Sequence, residues 1–257
     1  MLYNRIMSKA FYCVSALTIV LAGCSSYKAP GRAARMELFM EPAKAAPTEQ
    51  AQPQKPSDIE IIDRKPTAEF PAHIVVVRVQ EPGYKSLTNE GVGGGNFSVV
   101  TVRDMEKDED FGRLAKLPDL AQISPMSRLL LPSRFQSDKE LRTVAARLNA
   151  DMLLIYTVDT AFLNTDTSTP LSVISLGFGP TIKARIISTV SAILMDTRTG
   201  YIYGTVEETA KKEITTSAIS TQNECDKIRL QTERAAFEQF LAEFETPWPG
   251  IVKEYKK

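Results

Sequence analysis

The sequence predicts an α/β fold, a mixed β-sheet with helices packed on it, and three stretches carry that prediction. Residues 72–80, AHIVVVRVQ, are a near-continuous β-branched run of the kind buried inside a sheet. Residues 137–150, SDKELRTVAARLNA, read as a capped amphipathic helix leading straight into a strand, DMLLIYTVDTAF, over 151–162. Two further strands, 185–195 and 201–209, are joined by DTRTG and followed by a long amphipathic helix over roughly 223–245. Strand, helix, strand, hairpin and helix in this order argue helices laid on a mixed sheet.

Taken in chain order, the first segment lies outside that fold. Residues 1–23 have the build of an export signal, with Arg5 and Lys9 ahead of a mostly apolar run from Ala10 to Leu21. A membrane span needs roughly 20 apolar residues, so the run is too short to persist as one. Ala22 and Gly23 are small residues before Cys24, and Leu21-Ala22-Gly23-Cys24 resembles the lipobox of bacterial lipoproteins. The resemblance implies cleavage between Gly23 and Cys24, an S-diacylglycerol (palmitate-type) modification of the Cys24 thiol and an N-acyl chain on its amine. Two or more acyl chains hold a protein stably on a bilayer. Ser25 follows where the lipoprotein pattern for inner-membrane retention has Asp, which implies a Gram-negative outer-membrane lipoprotein facing the periplasm.

Residues 24–66 read as a lipidated, Pro/Ala-rich flexible linker, with six prolines after Cys24 and little apolar periodicity. As a coil such a leash spans roughly 35 Å, and extended as polyproline on the order of 130 Å. The folded domain is expected over 67–257. In it, the strand at 72–80 is followed by a Gly-rich turn, EGVGGGN, and by a second strand over 96–104, NFSVVTVRD. LLLPSRF, within the harder stretch 105–135, reads as a short strand. Ser137 with Glu140 three residues on makes a capping box, and Leu141, Val144, Ala145 and Leu148 share one face. Gly200 is placed for the positive φ of a hairpin turn. Leu230, Phe237, Phe240, Leu241 and Phe244 mark the buried side of the last helix, which Pro247 and Pro249 stop.

Charge and cysteine usage exclude whole classes of function. Lys plus Arg and Asp plus Glu number 31 each. Without residues 1–23, which hold two bases and no acid, 29 bases face 31 acids, so no field exists to attract nucleic acid. Cys13 leaves with the signal and Cys24 is acylated. Cys225 is then alone, and reads as a partly buried structural thiol in preference to a redox group.

Leu148-Asn149-Ala150-Asp151 and Asp196-Thr197-Arg198-Thr199-Gly200 resemble the LGAD-like corner and D-x-R-T-G hairpin of a superfamily of periplasmic lipoprotein domains. Its members include CsgG, the N-terminal domain of TolB, and LpoB. The resemblance covers about residues 140–245 and implies a three-layer α/β domain with a binding or assembly role.

Candidate sites are few. GVGGGN (91–96) lacks the Lys-Ser/Thr of a phosphate loop and precedes a strand, so it reads as a turn. His73, the lone histidine, has no metal or triad pattern around it and reads as an ordinary satisfied residue. Asp104 to Asp110, DMEKDED, lacks the ligand alternation of a calcium loop and reads as a solvated turn or helix start. The apolar segment 169–185, TPLSVISLGFGPTIKAR, reads either as a strand and loop completing the core or as a surface meeting a partner or membrane. No catalytic residue, metal, cofactor or small-molecule substrate is expected. The favoured reading is a non-enzymatic lipoprotein that binds envelope proteins or itself. The alternative is a CsgG-like pore subunit with residues 163–185 contacting the membrane, although PLSVISLGFG alternates only in part.

Overall fold

The computed structural model describes residues 26–35, 64–164, 173–175, 183–215 and 222–256. The signal segment 1–23, Cys24, residues 36–63 and most of segment 169–185 lie outside the described residues. The strands are β1 (Ser26–Lys28), β2 (Ala72–Gln80), β3 (Gly94–Gly95), β4 (Ser98–Val100), β5 (Leu120–Pro125), β6 (Arg134–Phe135), β7 (Met152–Asn164), β8 (Val173–Ser175), β9 (Lys183–Asp196) and β10 (Ile202–Thr215). The helices are α1 (Asp108–Leu114), α2 (Asp138–Arg147), α3 (Gln222–Glu245) and α4 (Trp248–Tyr255).

The valine-rich run becomes β2, inside a six-stranded mixed sheet of order β10–β9–β7–β2–β4, with β5 also paired to β2. β5 and β7 run parallel to β2, whereas β4, β9 and β10 join their neighbours antiparallel. Both faces of the sheet are covered, which is why β2 is apolar almost throughout instead of alternating. Ala72, Ile74 and Val76 enter a core with Phe111 and Leu114 of α1, Phe237, Phe240 and Phe244 of α3, and Trp248 of α4. Val75, Val77 and Val79 enter a second core with Leu141, Val144 and Ala145 of α2. The result is three layers, as the corner motifs imply.

Those two corners meet at one end of the sheet. Asn149 takes φ 54 and ends α2, a left-handed position that Asn tolerates better than most residues. Asp151 then accepts from the His73 N–H at 3.0 Å, and its carbonyl accepts from the Thr197 N–H at 3.0 Å. In the hairpin turn, Asp196 Oδ1 accepts from the N–H groups of Arg198 and Thr199, both at 2.9 Å. Its Oδ2 accepts from the Thr67 N–H at 2.6 Å and the Tyr203 hydroxyl at 2.9 Å. Gly200 closes the turn at φ 70. The capping box of α2 forms as expected, with Glu140 accepting from the Ser137 N–H at 2.9 Å.

Several expectations need correction. The linker read over 24–66 is not free along its whole length: β1 pairs antiparallel with β8, and Tyr27 and Ala34 are buried against the domain. One tyrosine and a short ladder suffice to dock a segment whose composition reads as coil. The strand expected over 96–104 is confined to Ser98–Val100, because the chain beyond it turns to carry Asp104 and Glu106 inward. LLLPSRF gives a 3₁₀ turn at Arg128–Leu130 and the two-residue β6. DMEKDED does start a helix, but it is only partly solvated: Lys107, Asp108 and Glu109 are exposed, whereas Glu106, Asp110 and the Asp104 side chain are buried. Pro247 and Pro249 end α3 and then lie at the start of α4, where proline's missing N–H costs nothing. Cys225 is fully rather than partly buried. GVGGGN, expected as a turn, is instead extended: Val92 bridges Val99, and Gly94–Gly95 form β3 against β6. Phe135 explains Gly93 and Gly95, since a Cβ on Gly95 would sit 2.0 Å from the Phe135 carbonyl oxygen.

Candidate functional site

α3 buries a single stripe, and the first half of that stripe is charged. Asp226, Arg229 and Glu233 occupy the helical face that Phe237, Phe240 and Phe244 continue, and all six are buried. Opposite the charged half, β2 replaces valine with Arg78. The Arg78 Nη1 lies 2.9 Å from Asp104 and 3.7 Å from Glu106, and its Nη2 lies 3.9 Å from Glu233. Arg229 donates to Asp226 at 2.9 Å and to Glu233 at 2.7 Å. Four carboxylates thus share two guanidiniums, and neutral hydroxyls supply further donors. Tyr27 donates to Asp226 at 3.0 Å, Thr160 to Glu233 at 2.8 Å, Thr88 to Asp104 at 3.2 Å, and Tyr156 to Glu106.

The titration of these groups is that of a clamp. Burial opposes the charges of Arg78 and Arg229, but the surrounding carboxylates, led by Glu106 and Glu233 respectively, outweigh it and raise both pKa values. Burial pushes Tyr27, Tyr84 and Tyr156 upward, so their phenols stay protonated. Burial likewise pushes the Cys225 thiol up to about 12, leaving it a poor nucleophile. His73 Nε2 lies 3.0 Å from Ser124 Oγ at the far end of β2 from this cluster. Among the described residues, no group of three or more His, Cys, Asp or Glu could hold a metal ion.

Residues 27–35 form a strap that leads from this cluster into the sheet. β2 and β7 are paired only from Ile74 to Val77, and beyond that the strap fills the gap between them. Ala33 bridges Gln80, and the Ala34 N–H donates to Thr157 Oγ1 at 3.0 Å. The Gln80 amide spans the remaining distance, donating to the Val158 carbonyl at 2.8 Å and accepting from its N–H at 2.9 Å. Gly31 lets the strap pass close to Glu81, whose Oε1 would lie 2.1 Å from an added Cβ. A groove of about 810 Å³ runs beside the strap, bounded by Lys28, Arg32, Glu81, Lys85 and Asp159.

Sequence reasoning brought none of the cluster together. Arg78 was the available signal, since a cation inside a run of buried valines requires buried acids to face it. At one edge of the sheet, β10 ends the strand order and is fourteen residues long. It carries Glu207, Lys211, Lys212 and Glu213 exposed. No helix among the described residues is long and apolar enough to cross a membrane.

No family model and no curated protein matches the sequence. Among solved structures, the chain is similar to lipoprotein GNA1162 from Neisseria meningitidis, with 12% identity and a TM-score of 0.27 over 61% of this chain and 92% of that one. It is similar to protein XCC0632 from Xanthomonas campestris, which carries a DUF330 family model, with 13% identity and a TM-score of 0.28 over 71% and 83%. A third is a PelC dodecamer from Paraburkholderia phytofirmans, with 11% identity and a TM-score of 0.24 over 68% and 90%. At such TM-scores these likenesses carry no argument about activity or assembly.

Proposed function

We propose that the chain is a non-enzymatic outer-membrane lipoprotein, anchored through Cys24, whose periplasmic domain binds or assembles with cell-envelope proteins. The lipobox Leu21–Cys24 supports the anchor and Ser25 supports the outer membrane. The corners LNAD and DTRTG support a place beside CsgG, the TolB N-terminal domain and LpoB. The observation that carries the binding role is the edge of β10, which among the described residues pairs with β9 on one side only and ends the sheet. An unpaired edge is a template for another strand, and the charges along β10 restrict it to a complementary partner.

A photo-crosslinker at the exposed Thr205 of β10, in intact cells, tests this, with Lys139 of α2 as the control position. The expected result is one dominant adduct from Thr205, either a second copy or an identified envelope protein, lost in Cys24→Ala. Equal, diffuse products from both positions would overturn it. The pairing of Val173–Ser175 with Ser26–Lys28 favours this reading over a pore subunit, because it ties part of segment 163–185 to the domain itself.

A further inference from the structure

β1 begins at Ser26, so a single residue, Ser25, separates the docked strap from Cys24. Two backbone steps reach about 7 Å at most. Tyr27 fixes where that short reach starts, packed with Phe162 at the end of β7, Ile186 at the start of β9 and Cys225 at the start of α3. The DTRTG corner is at the other end of β9, on the order of 40 Å away for a strand of 14 residues. Charge is unevenly divided along that axis. Among the described residues beyond Thr160, Ser188 and Ala210, together with β1 and the first turns of α3, six exposed bases gather: Lys28, Lys183, Arg185, Lys211, Lys212 and Lys227. Only Glu213 and Glu224 are exposed acids there.

From this placement we propose that the β1 end of the domain lies against the phospholipid surface, held flush by the two-residue reach of Cys24, with its basic side chains facing the headgroup phosphates. The proposal rests on Cys24 being the acylated residue. Residues 36–63, expected to be part of a leash, connect two docked segments, since Arg32 and Ala34 bond to the domain on one side and Arg64 and Lys65 on the other. Their length therefore does not set the height of the domain above the bilayer. Basic side chains close to an anionic leaflet are attracted to it within about a Debye length, a range that a long leash would forfeit.

The test uses the full-length lipidated protein in vesicles of phosphatidylethanolamine and phosphatidylglycerol containing a nitroxide-headgroup lipid. A fluorescent probe is attached to Lys211→Cys at the β1 end or to Lys253→Cys on α4, near the opposite end. Cys225 is fully buried and Cys24 is blocked by lipid, so the introduced thiol takes the label. Quenching several-fold stronger at position 211 than at 253 is expected. A long Gly/Ser insertion between Ser25 and Ser26 should leave flotation with the vesicles intact and cut quenching at 211. Floating protein with equal, weak quenching at both positions would overturn the orientation while leaving the anchor standing. Protein that fails to float, or whose Cys24 carries no acyl mass, would overturn the anchor and the orientation with it.

Discussion

The two halves of α3 bury the same stripe by opposite means. From Phe237 to Phe244 the stripe is aromatic, with Tyr156 of β7 stacked among the rings at centroid distances of 5.5 and 6.2 Å. From Asp226 to Glu233 it is ionic, and the sheet answers with Arg78 and the acids of the loop after β4. The aromatic half gains from every Å² it removes from water, at ~25 cal/mol per Å². The ionic half must first desolvate its charges and recovers that cost only while every partner is present. The first kind of packing tolerates neighbours of roughly the right size, and the second fixes one arrangement.

Breaking each half separately exposes the difference. Phe240→Ala should destabilise the domain by about 3–5 kcal/mol, through lost transfer energy and the cavity left behind. Arg229→Ala should cost about as much, ~3–5 kcal/mol, because Asp226 and Glu233 lose their nearest cation while remaining buried. The contrast lies in the rescue. Replacing the helical trio of the set, Asp226→Leu with Arg229→Met and Glu233→Leu, should recover part of the Arg229→Ala loss, the remainder being the Tyr27 hydroxyl left without its acceptor. No second substitution of that kind restores Phe240→Ala. Urea denaturation of the three variants beside the parent measures this, and a triple variant as unstable as Arg229→Ala would contradict the ionic account.

The same contrast explains what could be read from the sequence. The phenylalanines repeat at helical spacing and the β2 valines form an unbroken run, so burial is written in each segment alone. Ser137 with Glu140, and Asp196 with Gly200, are equally local, and both behave as expected. Glu106 and Asp226 are legible only as pairs with residues far along the chain. DMEKDED has the composition of a solvated turn, and only Arg78 and Arg234, brought in by β2 and α3, draw Asp104, Glu106 and Asp110 inward while residues 107–109 stay exposed. β1 was hidden for a related reason: three residues, SYK, amid prolines and alanines, are docked by one phenol on one buried carboxylate.

That phenol offers a sharper and smaller test. Tyr27→Phe keeps the ring against Phe162, 5.8 Å between centroids, and deletes only the donation to Asp226. A hydrogen bond to a charged acceptor contributes ~1.5–3 kcal/mol, so the loss should fall in that range, below Arg229→Ala. It should be concentrated in the strap, and hydrogen exchange at the Ala34 N–H, which donates to Thr157, reports it directly. Faster exchange there with α2 unchanged is the expected pattern. Uniform acceleration across the domain would mean that the strap and the core unfold together.

The smallest effect separates the halves by pH. Tyr27, Tyr84 and Cys225 all lie in or beside the ionic half, and burial raises each of them above its ordinary value. The unfolded chain ionises these groups from about pH 8.5 to 10 upward, whereas the folded chain does not. Below that window their contribution to stability is complete, and it is lost as pH rises toward their folded values. Asp110 and Asp196 behave inversely. Burial alone would raise them, but hydrogen bonds from Arg234 and from the Thr199 and Thr67 N–H groups lower them below the usual carboxylate range. Their contribution is present above about pH 4 and fades as pH falls through their folded values. Stability should therefore decline at both extremes for different residues. Tyr27→Phe should flatten only the alkaline limb, and Asp196→Asn only the acid limb, in urea midpoints measured across pH. A Tyr27→Phe profile parallel to the parent above pH 9 would remove the strap phenol from the alkaline response and leave it to the other raised groups, Tyr84, Tyr156, Tyr203 and Cys225 among them.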